Sequence, residues 1–439
     1  MTEQAKRNYC LLSGALLTFF LTWSFTFSIY SIWLEQALGL SGEERGIVFS
    51  LGAFCALFIL PAYGYLQDKL GLKKTLLYFV ALMLVFCGPF SIFVYAPLLA
   101  FNVWYGALAG GLYFALAFGA GVGALETYVE RVGRVTGFEF GKARMWGSVG
   151  WAVATFFTGR LFNLDPNINF CLASVTGTAF LIFVALVRPA NTAQQEELFS
   201  QKAAALKISD ALGLFSNPKF LALGLYVIGV TTVYAVYDQQ FPSYFASVFS
   251  SRQEGNAMYG YLNSLQVFLE AGGLFLAPKL VNRIGAKQGL IVAGCIMAVR
   301  ILGSGYADDA ISISAMKLLH AAELPIMLVA MFKYIAANFD ARLSATIYLV
   351  GFAFMTQIGA SALSILAGIM YDTLGFAASY KIFGLIVCAF VIISHFVLSN
   401  DKNNIASVGL DQNTDADVLP PHDIKNDDVM TLNDNSKPG

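Results

Sequence analysis

The sequence predicts an all-α membrane protein of twelve transmembrane helices in two six-helix halves, and three observations carry that prediction. The chain is too apolar for a soluble globular protein: 57% of its 439 residues are hydrophobic and 13% charged, with a mean hydropathy of +0.65. Apolar stretches follow one another from Tyr9 to Asn400, each near the roughly 20 residues that cross a hydrocarbon core as a helix. The longest polar stretch of the interior, Arg188 to Pro218, divides these stretches six and six. Lipid admits only helices or closed barrels, and the runs lack the period-two alternation of barrel strands.

The spans fall at 9–34, 46–67, 75–95, 102–128, 144–162 and 169–187 in the first half, and at 220–249, 256–281, 289–307, 310–337, 343–371 and 380–399 in the second. The first run is too long for the core of a signal peptide and no small-residue cleavage site follows it, so it is expected to remain as a helix. Basic residues set the orientation. Lys6, Arg7, Lys69, Lys73, Lys74, Arg131, Arg134, Lys142, Arg188, Lys202, Lys207, Lys219, Lys279, Arg283, Lys287 and Lys333 lie on one side, whereas the opposite loops hold Arg45, Arg160, Arg252 and Lys381. Both termini are therefore expected in the cytoplasm. The domain plan is a first half (1–187), a cytoplasmic linker (188–218), a second half (219–400) and an acidic tail (401–439). The tail carries eight aspartates against three lysines, a composition that favours disorder. The six cysteines all fall within spans without metal-ligand spacing and read as small apolar packing residues.

An internal echo supports two related halves. Leu66-Gln67-Asp68-Lys69-Leu70-Gly71-Leu72-Lys73 follows the second span, and Leu280-Val281-Asn282-Arg283-Ile284-Gly285-Ala286-Lys287 follows the eighth. Taken singly, each is a glycine turn with positive-inside residues. The shared register argues instead for duplication, the arrangement of transporters that rock two halves about a central site. The first copy, with Gly64, Asp68, Lys69, Gly71 and Lys73, matches the loop signature of the major facilitator superfamily.

Ionisable residues inside spans are costly, so each is a candidate for function. The tenth span holds Lys317, His320 and Glu323, and three-residue spacing keeps them on one face of the helix. Pro325 follows and is expected to loosen the backbone. Arg300 lies in the ninth span, Asp238 in the seventh and Glu270 in the eighth; Glu126 lies near the interior end of the fourth and Arg144 opens the fifth. Plainer readings exist for each. Asp238 and Lys317 could neutralise one another as a packing pair, His320 could be a hydrogen-bonded interior residue, Glu126 and Arg144 could be headgroup-level charges, and Trp151 could serve packing alone. Their number argues for function, because eight ionisable groups in or beside six spans exceed what packing needs. An acid among apolar helices can also exchange a proton near neutral pH.

At these residues the chain resembles the oligosaccharide–proton symporter family of the major facilitator superfamily, which includes lactose, raffinose, melibiose and sucrose permeases. The segments that carry the resemblance are Phe138 to Met145, Tyr237 to Phe241, Val281 to Gly285, Lys317 through Glu323, Phe332 to Tyr334 and Ser344 to Tyr348. The resemblance implies roles. Arg144 forks onto sugar hydroxyls and Glu126 accepts from sugar and arginine; Trp151 stacks on a pyranose face; Glu323 carries the proton with Arg300 assisting its release; His320 bridges the two sites; Asp238 pairs with Lys317. Where lactose permeases carry a sugar-reading glutamate in the eighth span, this chain has Val267, with Glu270 three residues on. The run Gln266 to Ala271 looks like the sucrose permease branch. A second aspartate–lysine pair of lactose permeases is replaced by Ala235 and Thr356, a joint loss that strands no charge. Sucrose is thus the expected substrate, with raffinose, lactose or melibiose as alternatives. The same resemblance implies a proton-coupled carrier in a bacterial inner membrane, acting as a monomer in the lipid bilayer, with no cofactor, metal or nucleic-acid partner.

Other functions fit less well. A drug/proton antiporter of this fold would show a Gly-Pro-rich fifth span, but that span has Gly147, Gly150 and Gly159 and no proline. A membrane-embedded enzyme would need a metal cluster or nucleophile–base pair; His320, His395 and His422 are scattered and no HExxH or GxSxG occurs. A passive channel is disfavoured by the buried charges and the two-half plan.

Overall fold

The structure is a computed structural model and describes residues 3–70, 73–187, 214–339 and 347–400. The expected linker up to residue 213, the acidic tail, Gly71 of the loop signature and residues Ser344 to Thr346 lie outside the described residues, as does the side chain of Asp68.

The described residues are helical throughout their long elements. In chain order these are α1 (Glu3–Gln36), α2 (Gly42–Leu70), α3 (Thr75–Val85 continued by Cys87–Phe101), α4 (Val103–Thr136), α5 (Phe140–Leu164) and α6 (Ile168–Leu186). They continue as α7 (Pro218–Ser247), α8 (Arg252–Ile284), α9 (Ala286–Tyr306), α10 (Ala310–Asn338), α11 (Tyr348–Phe354 continued by Met355–Leu374) and α12 (Phe376–Val397). Among the described residues ten helices are long and apolar enough to cross a membrane, or eleven if the two segments of α3, bent by 53°, form one span. α5 is long enough, at 25 residues, but its Lys142, Arg144 and Arg160 make it less apolar. Phe93, Phe101, Phe275, Ile311 and Phe396 stand exposed on the outer surface, where a protein in water would carry polar groups.

Helix ends follow local chemistry. Asn102, Asn217, Ser251 and Asp309 cap α4, α7, α8 and α10 by accepting backbone N–H groups. The backbone N–H of Ser312 holds the Asp309 carboxyl below the ordinary aspartate range. Gly285 (φ 94°, ψ 159°) and Gly375 (φ 79°, ψ 162°) separate α8 from α9 and α11 from α12 by one residue, a backbone region open essentially to glycine alone. Several helices are longer than their apolar runs. α4 continues through Glu130, Arg131 and Arg134 until Gly137 turns left-handed, so Glu126 is ten residues inside the helix rather than near its end. α5 begins at Phe140, which sets Arg144 one turn inside rather than at its opening. Pro325, where loosening is expected, lies inside the continuous segment His320–Asn338, and the interruption of α10 falls at Leu319, between Lys317 and His320.

The packing repeats. α1 packs on α5 and α6, α2 on α4, and α3 on α6; likewise α7 packs on α11 and α12, α8 on α10, and α9 on α12. The largest contacts that join the sets are α2 with α11 and α5 with α8, with a smaller one between the end of α1 and α7. The two largest cross tightly through glycine: a Cβ on Gly46 would strike the Ser364 carbonyl, and one on Gly159 the Asn256 carbonyl. Near these crossings Asp372 accepts the first N–H groups of α2, from Gly42 (2.7 Å) and Glu43 (2.8 Å). Glu35 meets Arg45 (3.1 Å) and Arg252 (3.3 Å), and the amides of Gln36 and Asn256 exchange hydrogen bonds. These contacts cluster where α1 passes to α2 and α5 to α6. At the other end Lys74 donates to three carbonyls around the end of α6, and Arg131 donates to the Gln67 carbonyl. Lys69 and Lys73 of the loop signature are exposed there.

Candidate functional site

Mid-bundle, α1, α5, α7, α8 and α10 enclose a cavity of about 370 Å³ whose wall includes Phe20, Arg144, Trp151, Asp238, Val267, Glu270 and His320. Residues expected from four separate sequence segments therefore meet at one space. Arg144 is held before any ligand arrives. Its Nε donates to Glu126 Oε1 at 2.5 Å, and its guanidinium lies 4.4 Å above the Phe20 ring. Its terminal NH₂ groups make no hydrogen bond among the described residues, which leaves a planar donor fork directed by two fixed neighbours. This pairing departs from the picture of two independent headgroup charges. Trp151 stands edge-on to Trp23 (5.6 Å between ring centroids, 82°), with its backbone carbonyl held by Ser24.

Beside the cavity lies a buried charge cluster. Arg300 is 1% exposed and Glu323 fully buried. Arg300 Nη1 donates to Glu323 Oε1 (2.9 Å) and Nη2 to Asp238 Oδ1 (2.9 Å). The guanidinium is also walled by the rings of Tyr234, Tyr237 and Phe241 at 5.2 to 5.3 Å, a cation–π setting. His320 Nδ1 lies 3.0 Å from Glu323 Oε1, and the Tyr234 hydroxyl contacts both Arg300 and His320. His320 thus touches the Glu323 carboxylate and the cavity at once.

The expected Asp238–Lys317 pair is corrected by this geometry. Asp238 pairs with Arg300, whose two terminal nitrogens reach Glu323 and Asp238 in fixed directions at once. Lys317, 2% exposed, instead donates to Asn263 Oδ1 (2.9 Å) and Gln266 Oε1 (3.1 Å) and lies 4.2 Å over the Tyr259 ring. Four formal charges, Arg300 and Lys317 against Asp238 and Glu323, still balance within the cluster. Thr356 satisfies its hydroxyl on the Phe352 carbonyl of its own helix.

Sequence reasoning assigned no role to Tyr234, Asn263, Gln266 or Phe20. The signal for three of them was spacing: Tyr234 precedes Asp238 by four residues, and Asn263, Gln266 and Glu270 follow at three and four, one stripe of α8. Nothing local marks Phe20, one phenylalanine among 38. Among the described residues no group of three or more His, Cys, Asp or Glu side chains could hold a metal ion. The cysteines divide, with Cys55 and Cys87 buried as packing residues and Cys10, Cys171 and Cys295 on the outer surface.

Comparison with known proteins extends these observations. Residues 1–409 match the family of LacY proton/sugar symporters. Over 410 residues the chain is 41% identical to a melibiose permease of Enterobacter cloacae, covering 93% of this chain and 96% of that protein. It is 42% identical over 376 residues to a raffinose permease of Escherichia coli (85% and 88% covered) and 38% identical over 398 residues to a sucrose permease of Escherichia coli (90% and 95% covered). Among solved structures, the nucleoside transporter NupG superposes with a TM-score of 0.73 at 14% identity, over 91% of this chain and all of that one, a likeness of fold.

Proposed function

The chain belongs to the LacY family of proton/sugar symporters, and from that premise we infer that it carries a disaccharide, sucrose, into the cell together with a proton. It is a multi-pass transporter and not an enzyme. The observation that carries the reading is the adjacency of two chemistries. A sugar-sized cavity presents the terminal nitrogens of Arg144, the indole of Trp151 and the carboxylate of Glu270, and His320 links it to the buried Arg300–Glu323 pair. A pyranose offers hydroxyls at its edge for the fork and an apolar face for the indole.

Sucrose is preferred over galactosides that lack a sucrose unit because of α8. Val267 and Glu270 both line the cavity, so its negative charge sits almost one turn along from the position that lactose permeases use. Relatives named for melibiose, raffinose and sucrose lie at 38 to 42% identity, so overall identity does not separate these sugars and the stripe on α8 is the better guide.

Transport itself follows from the repeated packing. Adding six to each helix number maps the main contacts of α1–α6 onto those of α7–α12, and the two crossings exchange under the same operation. This supports two six-helix halves, twelve spans with α5 included, and rocking about the central cavity. The basic residues favour cytoplasmic termini in a bacterial inner membrane. On that reading the clustered contacts close the outer side, and the conformation faces inward.

The test is uptake of labelled sucrose, raffinose, melibiose and lactose into proteoliposomes with an imposed proton gradient, with external pH recorded. Sucrose uptake should be accompanied by proton uptake. A protein that takes up none of the four sugars sinks the assignment, and one that takes up lactose in preference to sucrose sinks the substrate.

A further inference from the structure

A second cavity of about 300 Å³ adjoins the first and shares Phe27, Tyr30, Phe49 and Gln239 with it. It lies between α1, α2, α4 and α11 and contains none of the charged groups discussed above. Its wall combines aromatic rings, among them Trp23, with the amides of Gln239 and Gln357. Trp23 lies parallel to Phe118 behind it (6.1 Å, 19°), which fixes the indole plane. Gln239 uses its carbonyl to accept from Ser364 (2.8 Å), and its NH₂ group has no partner among the described residues. The side-chain amide of Gln357, within the helix Met355–Leu374, makes no hydrogen bond among the described residues. Two glycines of this wall, Gly52 and Gly119, have nothing within 4 Å of where a Cβ would stand. Many glycines in the bundle admit a neighbouring helix, as Gly46 and Gly159 do; these two face the open space of the cavity.

Flat aromatic faces with unclaimed amide donors and acceptors are the chemistry that recognises a neutral polyol, with apolar C–H faces on one side and hydroxyls on the other. A charged ligand would find no counter-ion here, and a purely apolar one would leave both amides dry. We propose that this cavity is a second saccharide subsite, which takes a further glycosyl unit of an oligosaccharide whose first part occupies the Arg144 cavity. The inference rests on the sugar-transport reading and deepens it: the substrates include trisaccharides built on the disaccharide. Gly52 and Gly119 are specificity-determining positions, since side chains there would fill the subsite while leaving Arg144, Trp151 and Glu270 untouched.

The experiment compares equilibrium binding of sucrose and of raffinose, which is sucrose bearing one more hexose, to the purified full-length protein. The wild type should bind raffinose at least as tightly as sucrose. Gly52→Leu and Gly119→Leu should each weaken raffinose by about tenfold or more and leave sucrose within about threefold. Gln357→Leu, which keeps a similar volume and removes the amide, should act in the same direction and guards against a variant that fails to fold. Equal loss of both sugars, or no loss of either, in folded variants overturns the subsite, as does a wild type that prefers sucrose by about tenfold. A wild type that binds neither sugar overturns the parent reading and the subsite with it.

Discussion

Arg144 is legible in the sequence as a costly charge, but its orientation is not, because the side chains that aim it come from α4 and α1. With Glu126 at 2.5 Å on its Nε and Phe20 beneath, its free fork is aimed by contacts that a lysine could not reproduce. Arg144→Lys should therefore lose about 2–3 kcal/mol of sugar binding, roughly a hundredfold in Kd, while the protein still inserts and folds. Near-normal sugar affinity in the purified variant would reduce Arg144 to a charge that serves packing. The Asp238 pairing shows where residue-level reading goes astray. Sequence spacing says which groups share a helix face, not which of two cations will reach an anion on another helix. Arg300 reached Asp238, and Lys317 took two amide oxygens instead. Asp238→Asn should then lower thermal stability by about 1–3 kcal/mol, less than a fully buried pair because its carboxylate is 43% exposed to the cavity. Adding Lys317→Ala restores neutrality but not the partner of Arg300, so recovery of transport should be partial. Full recovery would mean that Asp238 meets Lys317 directly in a conformation other than this one.

Elements were read well where apolar length decided them and poorly where polar residues extend them. α2, α6, α9 and α12 begin and end within a few residues of their apolar runs, whereas α4 and α5 run on through charged turns that hydropathy discounts. The interior breaks were hidden for a different reason. Leu319 interrupts α10 with no local signal, and wide turns of i→i+5 type interrupt α4, α7 and α11 in apolar sequence that would suit a regular helix. The crossings of α2 with α11 and α5 with α8 make an element-scale prediction. Gly159 leaves no room for a Cβ against the Asn256 backbone, and backbone cannot yield as a flexible side chain can. Gly159→Val should wedge α5 from α8 and open that end of the bundle without touching the sugar contacts. A cysteine introduced at Ser148, on the cavity wall, should then react faster with a membrane-impermeant maleimide added from the outer side. An unchanged rate in a folded variant would show that this crossing does not hold the outer side shut.

At the scale of the whole molecule, the main packing of α1–α6 recurs in α7–α12, while the cavity's shape was not legible in the sequence because it lies between elements that only the fold brings together. The same scale governs coupling. Arg300 and Lys317 balance Asp238 and Glu323 inside the bundle, so adding a proton to Glu323 leaves one uncompensated positive charge unless sugar and solvent rearrange around it. His320 sits where such a rearrangement can be felt, 3.0 Å from the carboxylate and on the cavity wall. The contact of Arg300 with Glu323 at 2.9 Å is the arrangement of an ionised carboxylate, which suits a carrier that has released its proton and faces inward. Each proton entering adds about 2.3 kcal/mol per 100 mV of membrane potential, which is the work available for accumulating sugar. Glu323→Gln keeps the shape of the protonated acid and removes the ability to release. The reloading of the empty carrier, which needs the proton to leave, should therefore stop, whereas the loaded carrier should still reorient. That variant should bind sugar and exchange it between preloaded vesicles at rates near the wild type, yet fail to accumulate it against a gradient. Uphill accumulation with intact sugar-dependent proton uptake in Glu323→Gln would remove this residue from the proton path. His320 and Glu270, the other ionisable groups on α8 and α10 that line the cavity, would then be next in line.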